Sequence, residues 1–307
     1  MNKKLNFKHS GRLGDIIYSL PLIKKIVEST GEMADLYIPS DVPSHLGGGV
    51  FHPGGELMVS RSLFSFISPL LEIQPYLNAV HFVESSMLPD EYFDLDRFKS
   101  SGLNLKAGLI QGWYRKSFGI SFPIESPWLS IAESEQSGDV SFYKVLIGRT
   151  TRFCNTSINY SFLDEIDNVG FIGLDYEYED FVKRYKLSNV EHVPVSDAVQ
   201  MAHLMKRCEV YIGNQSLNFA IADGLKVNRA LEVFEPVPNV VPIGGYCIDF
   251  INTAGLGYFL SELFKVPIEI GSDLSGDYFE SIKMQNGYKP SFKEQLREIF
   301  GKKKSRF

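Results

Sequence analysis

A short glycine-containing turn near the amino terminus carries the residue best suited to chemistry in this chain. The turn reads Gly11-Arg12-Leu13-Gly14-Asp15 and joins a short apolar run to an amphipathic helical pattern. Turns of this kind present backbone N–H groups and a helix N-terminus to whatever binds above them. Asp15 stands at the helix start, where a carboxylate is either a helix cap or a general base. The residues alone leave both roles open.

A second polar turn follows an apolar run in the carboxyl-terminal half. The run from Glu209 to Ile212 leads into Gly213-Asn214-Gln215-Ser216 and then into a helical pattern. An anion at such a helix start gains from the free N–H groups and from the macrodipole, and the Ser216 hydroxyl would donate to a phosphate. An ordinary strand-to-helix turn capped by Ser216 accounts for the same residues. The sequence therefore leaves a phosphate site and a structural cap as alternatives.

Two arginines follow another apolar run. Arg149 and Arg152 come directly after the segment from Lys144 to Gly148. The planar guanidinium group suits phosphate oxygens, and ligands of parallel sheets bind beyond the carboxyl ends of the strands. A solvated surface pair is the alternative. Arg12, in the first turn, is a second candidate for contact with a phosphate or an acceptor.

Glu232 is a carboxylate within an otherwise apolar segment, Arg229 to Phe234. A buried carboxylate needs a partner, and the hydroxyls of a nucleotide ribose or a salt bridge with Arg229 or Lys226 would supply one. His9 is interpreted as a structural histidine. The three cysteines lack the spacing of metal ligands, so no metal site is predicted.

The residues above are positioned by strands and helices that alternate along the carboxyl-terminal half. This alternation predicts βαβ units and a parallel sheet covered on both faces. The predicted strands are Lys144 to Gly148, Val169 to Gly173, Val190 to Val195, Val210 to Gly213 and Arg229 to Phe234. The predicted helices are Tyr178 to Tyr185, Asp197 to Arg207 and Leu217 to Leu225.

The amino-terminal half follows a similar but looser pattern. Its predicted strands are Leu5 to Lys8, Leu36 to Ile38 and Val80 to Val83, and its predicted helices are Asp15 to Glu28, Ser68 to Gln74 and Leu105 to Phe118. The loop from Pro39 to Ser60 is rich in glycine and proline, and a loop of that length is expected to be functional, as a cover for an acceptor. The polar stretch from Ala132 to Asp139 predicts a boundary between domains at 1–138 and 139–285, followed by a helix and basic tail at 286–307.

The composition limits the class of protein to which this chain can belong. The 307 residues are 44% hydrophobic and 22% charged, as in soluble globular proteins. No apolar run approaches the ~20 residues that cross a bilayer, so a cytoplasmic protein without stable membrane insertion is expected. The net charge of −6 argues against a general nucleic-acid coat, and the basic tail at 301–307 is interpreted as solvated.

Taken together, the motifs resemble glycosyltransferase family 9, the ADP-heptose:lipopolysaccharide heptosyltransferase family. The resemblance spans most of the chain, and the motifs occur in the family's order. They are Gly11-x-x-Gly14-Asp15-Ile16-Ile17 with Pro21-Leu22, Gly148-Arg149, Phe171-Ile172-Gly173-Leu174, and the segment from Leu204 to Val233 that contains Gly213-Asn214-Gln215-Ser216.

The resemblance implies an α/β GT-B fold, in which two Rossmann-like domains face one another across a cleft. It also implies inverting, metal-independent transfer of a sugar from a nucleotide-sugar donor to an acceptor hydroxyl, with no other cofactor and with Asp15 as the general base. The residues expected at the donor and its diphosphate are Arg149, Arg152, Asn214, Gln215, Ser216 and Glu232. Those expected in the acceptor-side loop are Gly11, Arg12 and Gly14.

Two positions depart from the family pattern. Gln215 stands where the family has aspartate, and Ala220 where it commonly has histidine, so ADP-heptose is not assumed as the donor. A nucleotide-sugar epimerase or hydrolase on the same fold, and an inactive nucleotide-sugar-binding protein, are the alternative functions. The acceptor is a glycan, a small molecule, a protein or a nucleic-acid base. The sequence defines neither the donor base and sugar nor the oligomeric state.

Overall fold

The amino-terminal part of the chain folds around a parallel four-stranded sheet. The computed structural model describes residues 4–44, 55–106, 108–132 and 142–268. The strand order is β3-β2-β1-β4, and every pairing is parallel. The strands are β1 (Leu5–Lys8), β2 (Ala34–Pro39), β3 (Leu77–Val83) and β4 (Phe93–Asp94), and the helices are α1 (Leu13–Thr30), α2 (Arg61–Glu72) and α3 (Ile110–Phe118).

The carboxyl-terminal part folds around a parallel six-stranded sheet of order β10-β9-β8-β5-β6-β7. The strands are β5 (Val145–Gly148), β6 (Val169–Phe171), β7 (Val190–His192), β8 (Val210–Asn214), β9 (Arg229–Glu232) and β10 (Cys247–Phe250). The helices are α4 (Asp175–Tyr185), α5 (Ala198–Arg207), α6 (Leu217–Leu225) and α7 (Thr253–Phe264). The predicted parallel α/β architecture is confirmed. Within the described residues, each predicted strand and helix corresponds to an element of the structure, and most bounds shift by a few residues.

Two predicted helices differ more from the structure. The helix predicted from Ser68 begins earlier, with Ser60 as its cap, and Pro69 lies inside it. Burial of its apolar face outweighs the hydrogen bond that proline removes. The helix predicted from Leu105 begins only at Ile110, because Gly108 has φ +87° and interrupts a right-handed helix there.

Some elements were missed by the sequence analysis, and some of its predictions concern residues that the structure does not describe. Strands β4 and β10 and helix α7 were not predicted. The described residues do not include the glycine-rich centre of the long loop at 45–54 or the carboxyl-terminal region from residue 269. The boundary predicted from Ala132 to Asp139 also lies outside them, except for Ala132. Within the described ranges, no helix combines the length and the apolar character needed to cross a membrane.

The two halves pack directly against one another through their helices. Helix α1 contacts α6, and α2 contacts α5. One cluster of buried hydrophobic side chains runs through this contact and includes Ile16 and Leu20 of α1 together with Phe219 and Ile221 of α6. A second cluster fills the opposite face of the six-stranded sheet. The interface therefore fixes the first turns of α1 and α6 relative to one another.

Candidate active site

The two polar turns singled out in the sequence meet at the junction between the sheets. A Cβ atom added to Gly14 would lie 3.7 Å from both Ser216 O and Leu217 N, so the first turn of α1 rests on the first turn of α6. Strands β5, β8 and β9 end at the same level, with Gly148 paired to Gly213 and Asn214 paired to Glu232. Residues from both halves of the chain thus line one junction.

Asp15 lies half-buried in the first turn of α1, where Arg12 is the N-cap residue and makes no side-chain cap bond. Burial raises the pKa of Asp15 to about 6, whereas the charges of Lys99 and Arg12 and the backbone N–H of Arg12 lower it, and the charge of Asp96 raises it. The contact with the Arg12 N–H is compatible with capping. A carboxylate whose pKa lies close to neutrality is also suited to accept a proton.

Asp96 anchors the residues that precede Asp15. Its carboxylate accepts hydrogen bonds from the Ser10 backbone N–H (2.8 Å), the Ser10 hydroxyl (2.6 Å) and the ammonium groups of Lys8 (2.8 Å) and Lys99 (2.6 Å). Burial acts to raise the pKa of Asp96, but His9, which is protonated at the low pH where Asp96 titrates, and the charges of Lys99 and Lys8 outweigh it and hold that pKa well below its usual range. Asp96 is therefore a stable carboxylate anion that holds the turn through its hydrogen bonds to Ser10.

Arg12 and Arg152 approach one another from the two halves of the chain. Both side chains are half-buried, and neither has a hydrogen-bond or ion-pair partner among the described residues. The pKa of Arg12 is lowered by burial and then by the neighbouring charge of Arg152, whereas Asp15 raises it. Two partly desolvated cations, with no carboxylate of the described ranges within ion-pair distance, form a site that favours an anionic group.

The turn after β8 holds the loop that carries Arg152. The amide oxygen of Asn214 accepts the Thr150 N–H (3.0 Å), and its amide nitrogen donates to the carbonyls of Thr150 (2.9 Å) and Phe153 (2.9 Å). Ser216 caps α6 by accepting the Phe219 N–H (3.4 Å). In this structure Asn214 and Ser216 make contacts within the protein, so their predicted contacts with a donor stay predictions.

Gln215 has a comparable role on the other side of the turn. Its amide nitrogen donates to the Val237 carbonyl (2.7 Å) and to Asn239 Oδ1 (2.7 Å), and its amide oxygen accepts the Phe234 N–H (3.1 Å). Asn239 in turn reaches the amino-terminal half, where its carbonyl accepts the Ile110 N–H (3.1 Å). The glutamine that departs from the family pattern thus organises a loop that connects the two halves.

Arg149 and Glu232 form a buried ion pair with one another. The Arg149 Nε donates to Glu232 Oε2 (2.6 Å) and its Nη2 to Glu232 Oε1 (3.0 Å), while Glu232 also accepts from the Tyr160 hydroxyl (2.8 Å) and the Asn155 N–H. Of the two alternatives for Glu232, the salt bridge with Arg229 or Lys226 is wrong, because both of those cations bind Asp223 instead.

This pairing leaves Arg152 as the available arginine after β5. Burial acts to lower the pKa of Arg149, but the charge of Glu232 outweighs it and raises that pKa well above its usual value. The Arg149 guanidinium therefore stays charged and paired with Glu232. A contact of either residue with a diphosphate or a ribose remains a prediction.

The sequence did not reveal several residues that surround the site. Tyr114 and Lys99 carried no local signal, because they approach Asp15 only through the tertiary fold. Glu177 lies in the first turn of α4, and its Oε2 accepts the Leu174 N–H (3.1 Å), as a capping carboxylate does. It also lies near Arg152: burial raises the pKa of Glu177, and the charge of Arg152 acts to lower it. Among the described residues, no group of three or more His, Cys, Asp or Glu side chains is arranged to hold a metal ion.

Comparison with known proteins identifies the fold. No family model matches the sequence, and no curated protein matches it. The structure is similar to the ADP-heptose lipopolysaccharide heptosyltransferase II of E. coli, with a TM-score of 0.56 and 14% identity over 93% of this chain and 100% of that one. A family 9 glycosyltransferase from Veillonella parvula gives a TM-score of 0.51 and 11% identity over 92% and 97% of the two chains.

A third similar structure is E. coli heptosyltransferase WaaC bound to ADP-2-deoxy-2-fluoro heptose, with a TM-score of 0.50 and 12% identity over 92% of this chain and 100% of that one. At these identities the similarity establishes the fold. The chain has the GT-B architecture of these glycosyltransferases, and the resemblance found in the sequence is confirmed at that level.

Proposed function

We propose that this protein is a glycosyltransferase that moves a sugar from a nucleotide-sugar donor to an acceptor hydroxyl. One observation carries the proposal: Asp15, with its raised pKa, lies at the junction where Arg12 and Arg152 converge from opposite halves of the chain, neither of them paired within the described residues. A base beside an anion site is what transfer from a sugar diphosphate requires. The GT-B fold supports the assignment, although fold similarity alone does not define activity.

Each group has a defined role in the proposed reaction. The acceptor hydroxyl gives its proton to the Asp15 carboxylate while its oxygen forms a bond to the anomeric carbon of the donor. The bond from that carbon to the diphosphate oxygen breaks, and its electron pair leaves with the diphosphate. Arg152 and Arg12 stabilise the charge on the leaving group, a role that needs no metal ion. Attack opposite to the leaving group inverts the anomeric configuration.

A binding experiment tests the donor site first. Nucleoside diphosphates and nucleotide sugars are screened for stabilisation of the protein against heat, since a ligand at 100 times its Kd stabilises by ~2.7 kcal/mol. Arg152→Gln is expected to remove most of this stabilisation. Arg184→Gln is the matched control, because Arg184 is exposed on α4 and pairs with Asp180. Stabilisation by none of the nucleotides would contradict the donor site.

Product analysis then separates transfer from the alternative reactions. The donor found in the screen is incubated with glycan, small-molecule, protein and nucleic-acid acceptors, and with none. Transfer predicts a new glycoside that depends on the acceptor, and Asp15→Asn abolishes it while donor binding persists. An epimerised donor or free sugar formed without acceptor would favour an epimerase or hydrolase. Binding without turnover for every acceptor would favour an inactive binding protein.

A further inference from the structure

A buried chain of hydrogen bonds connects His9 to the main chain of Asp15. His9 is fully buried just beyond the end of β1, and its Nδ1 accepts the Gly11 N–H (2.8 Å). Its Nε2 lies 2.8 Å from the hydroxyl oxygen of Tyr114 on α3. The Tyr114 hydroxyl donates to the carbonyl oxygen of Asp15 (3.1 Å). These hydrogen bonds thus connect His9, at the start of the turn, to Asp15, at its end.

The direction of each hydrogen bond follows from the chemistry of the groups. A backbone N–H only donates, so Nδ1 of His9 is an acceptor and the ring proton resides on Nε2. The Nε2–H therefore donates to the Tyr114 oxygen, which leaves the tyrosine proton for the Asp15 carbonyl. Burial lowers the pKa of His9 to about 4, so the imidazole is neutral at neutral pH, as this arrangement requires.

The turn itself is shaped to fit this arrangement. A Cβ atom added to Gly11 would lie 2.5 Å from His9 Cε1, so a side chain at this position would displace the imidazole, and it would touch Asp15 Oδ2 at 3.4 Å. Tyr114 is fully buried, and its ring packs edge-on against Phe98 with a centroid separation of 5.1 Å. Both ends of the hydrogen-bond chain are therefore held by packing.

We propose that His9 and Tyr114 are positioning residues that hold the Asp15 carboxylate at the junction of the two sheets. We call this pair the His9–Tyr114 clamp. Tyr114 contacts the Asp15 carbonyl and not its carboxylate, so the clamp sets the position of the base and does not transfer its proton. The catalytic consequence rests on the proposed function, whereas the positioning of the carboxylate does not.

The first test measures the Asp15 pKa directly and needs no substrate. Carbon-13 NMR of the aspartate carboxyl groups is followed against pH in wild type, in Asp15→Asn to assign the signal, and in Tyr114→Phe. Loss of the hydroxyl releases the turn and hydrates the carboxylate, so its pKa is expected to fall from about 6 toward the ordinary value near 4. A pKa that stays at about 6 in folded Tyr114→Phe overturns the proposal.

Tyr76→Phe is the matched control for this substitution. Tyr76 is also a buried tyrosine of the amino-terminal half, and its hydroxyl donates to the Trp128 carbonyl (2.7 Å), which belongs to another region of the interface. We expect Tyr76→Phe to lose thermal stability while the Asp15 pKa stays at its wild-type value. An equal fall in the pKa for both variants would show a general loosening of the fold and would overturn the clamp.

Turnover of a donor found in the nucleotide screen provides the second readout. Displacement of a catalytic group by about 1 Å costs up to about 100-fold in rate, so Tyr114→Phe is expected to lower kcat by about 10- to 100-fold with little change in the donor KM. His9→Asn, combined with Tyr114→Phe, should lose no more than the more damaged single variant. Unchanged kcat in Tyr114→Phe would contradict the clamp, whereas full activity of Asp15→Asn would contradict the proposed function alone.

Discussion

At the scale of single residues, Asp15 stands out because its environment opposes its charge. The folded state holds the carboxyl proton more tightly than the unfolded chain does, since burial raises the pKa from 3.8 to about 6. Folding stability therefore declines as the pH rises from about 4 to about 6, and the full cost persists above that range. Such a residue lowers the free energy of unfolding, and its presence is explained by function more readily than by structure.

Asp15→Asn is accordingly expected to stabilise the protein at pH 7.5, by about 1–3 kcal/mol. The advantage over wild type should shrink as the pH falls through 6 and be small at pH 4, where the wild-type carboxyl is protonated in the folded state and about half protonated in the unfolded chain. Thermal unfolding of the two proteins between pH 4 and pH 8 measures this difference. Equal stability at pH 7.5 would mean that the ionised Asp15 carries no folding cost.

Asp164 provides a control, because ionisation of its carboxyl group stabilises the folded state, whereas ionisation of Asp15 destabilises it. This exposed carboxylate accepts the Ser188 N–H (2.6 Å), and that contact lowers its pKa. The ionised form thus supports folding, and its contribution is lost as the pH falls through the depressed pKa. Asp164→Asn should destabilise the protein at pH 7.5, in contrast to Asp15→Asn.

At the scale of elements, the loop after β5 depends on the strands beside it. Asn214 at the end of β8 binds the loop at Thr150 and Phe153, and Glu232 at the end of β9 binds it at Arg149 and Asn155. These contacts determine where Arg152 stands. Several of the residues predicted to bind the donor thus hold the loop that carries Arg152.

Removal of the Asn214 side chain tests this role. Asn214→Ala leaves Arg152 chemically intact but releases its loop, so the Kd of the stabilising nucleotide should rise by about tenfold, or ~1.4 kcal/mol. The lost buried hydrogen bonds should also cost about 1–3 kcal/mol of folding stability. Calorimetric titration with the nucleotide measures the first effect, and thermal unfolding measures the second.

Asn189→Ala provides the comparison for this loop. The amide nitrogen of Asn189 likewise donates to backbone carbonyls, those of Leu163, Asp164 and Ile166, but it lies before β7, the edge strand of the sheet. This variant should lose stability while it retains nucleotide affinity. If both variants bind the nucleotide equally well, the loop does not need Asn214 for its position.

The sequence predicted those elements whose signals are local. Helix α6 was predicted with the bounds that it has, because Ser216 caps a run of apolar residues directly after a strand. Strand β10 and helix α7 were missed. Half of β10 is only partly buried, so its side chains lack a clear apolar pattern, and α7 contains Gly255 and Gly257, which are unfavourable inside a helix.

The site was predictable only in part, for a related reason. The turn at Asp15 and the turn at Ser216 were found from glycine and capping patterns within short stretches. The ion pair between Arg149 and Glu232, and the contact of Tyr114 with Asp15, join residues far apart in the chain. Side-chain partners of this kind depend on how the elements pack, which local patterns do not encode.

In the molecule as a whole, the groups proposed to act on the substrates come from both halves, so the interface between the halves sets their geometry. The segment from Phe122 to Ser130 crosses this interface. The backbone N–H groups of Trp128 and Leu129 both donate to the Gly224 carbonyl in α6. On the amino-terminal side, the Tyr76 hydroxyl donates to the Trp128 carbonyl. Trp128 is therefore held by both halves of the chain and packs between them.

This arrangement predicts that the wild-type protein unfolds in a single calorimetric transition, because neither half keeps its buried surface without the other. Trp128→Ala should cost about 3–5 kcal/mol and separate the unfolding of the two halves into two transitions. Trp113→Ala removes a buried tryptophan that packs on Phe98 within the amino-terminal half, so it should lower Tm but keep one transition. Two transitions in wild type would show that the halves fold independently and would contradict this prediction.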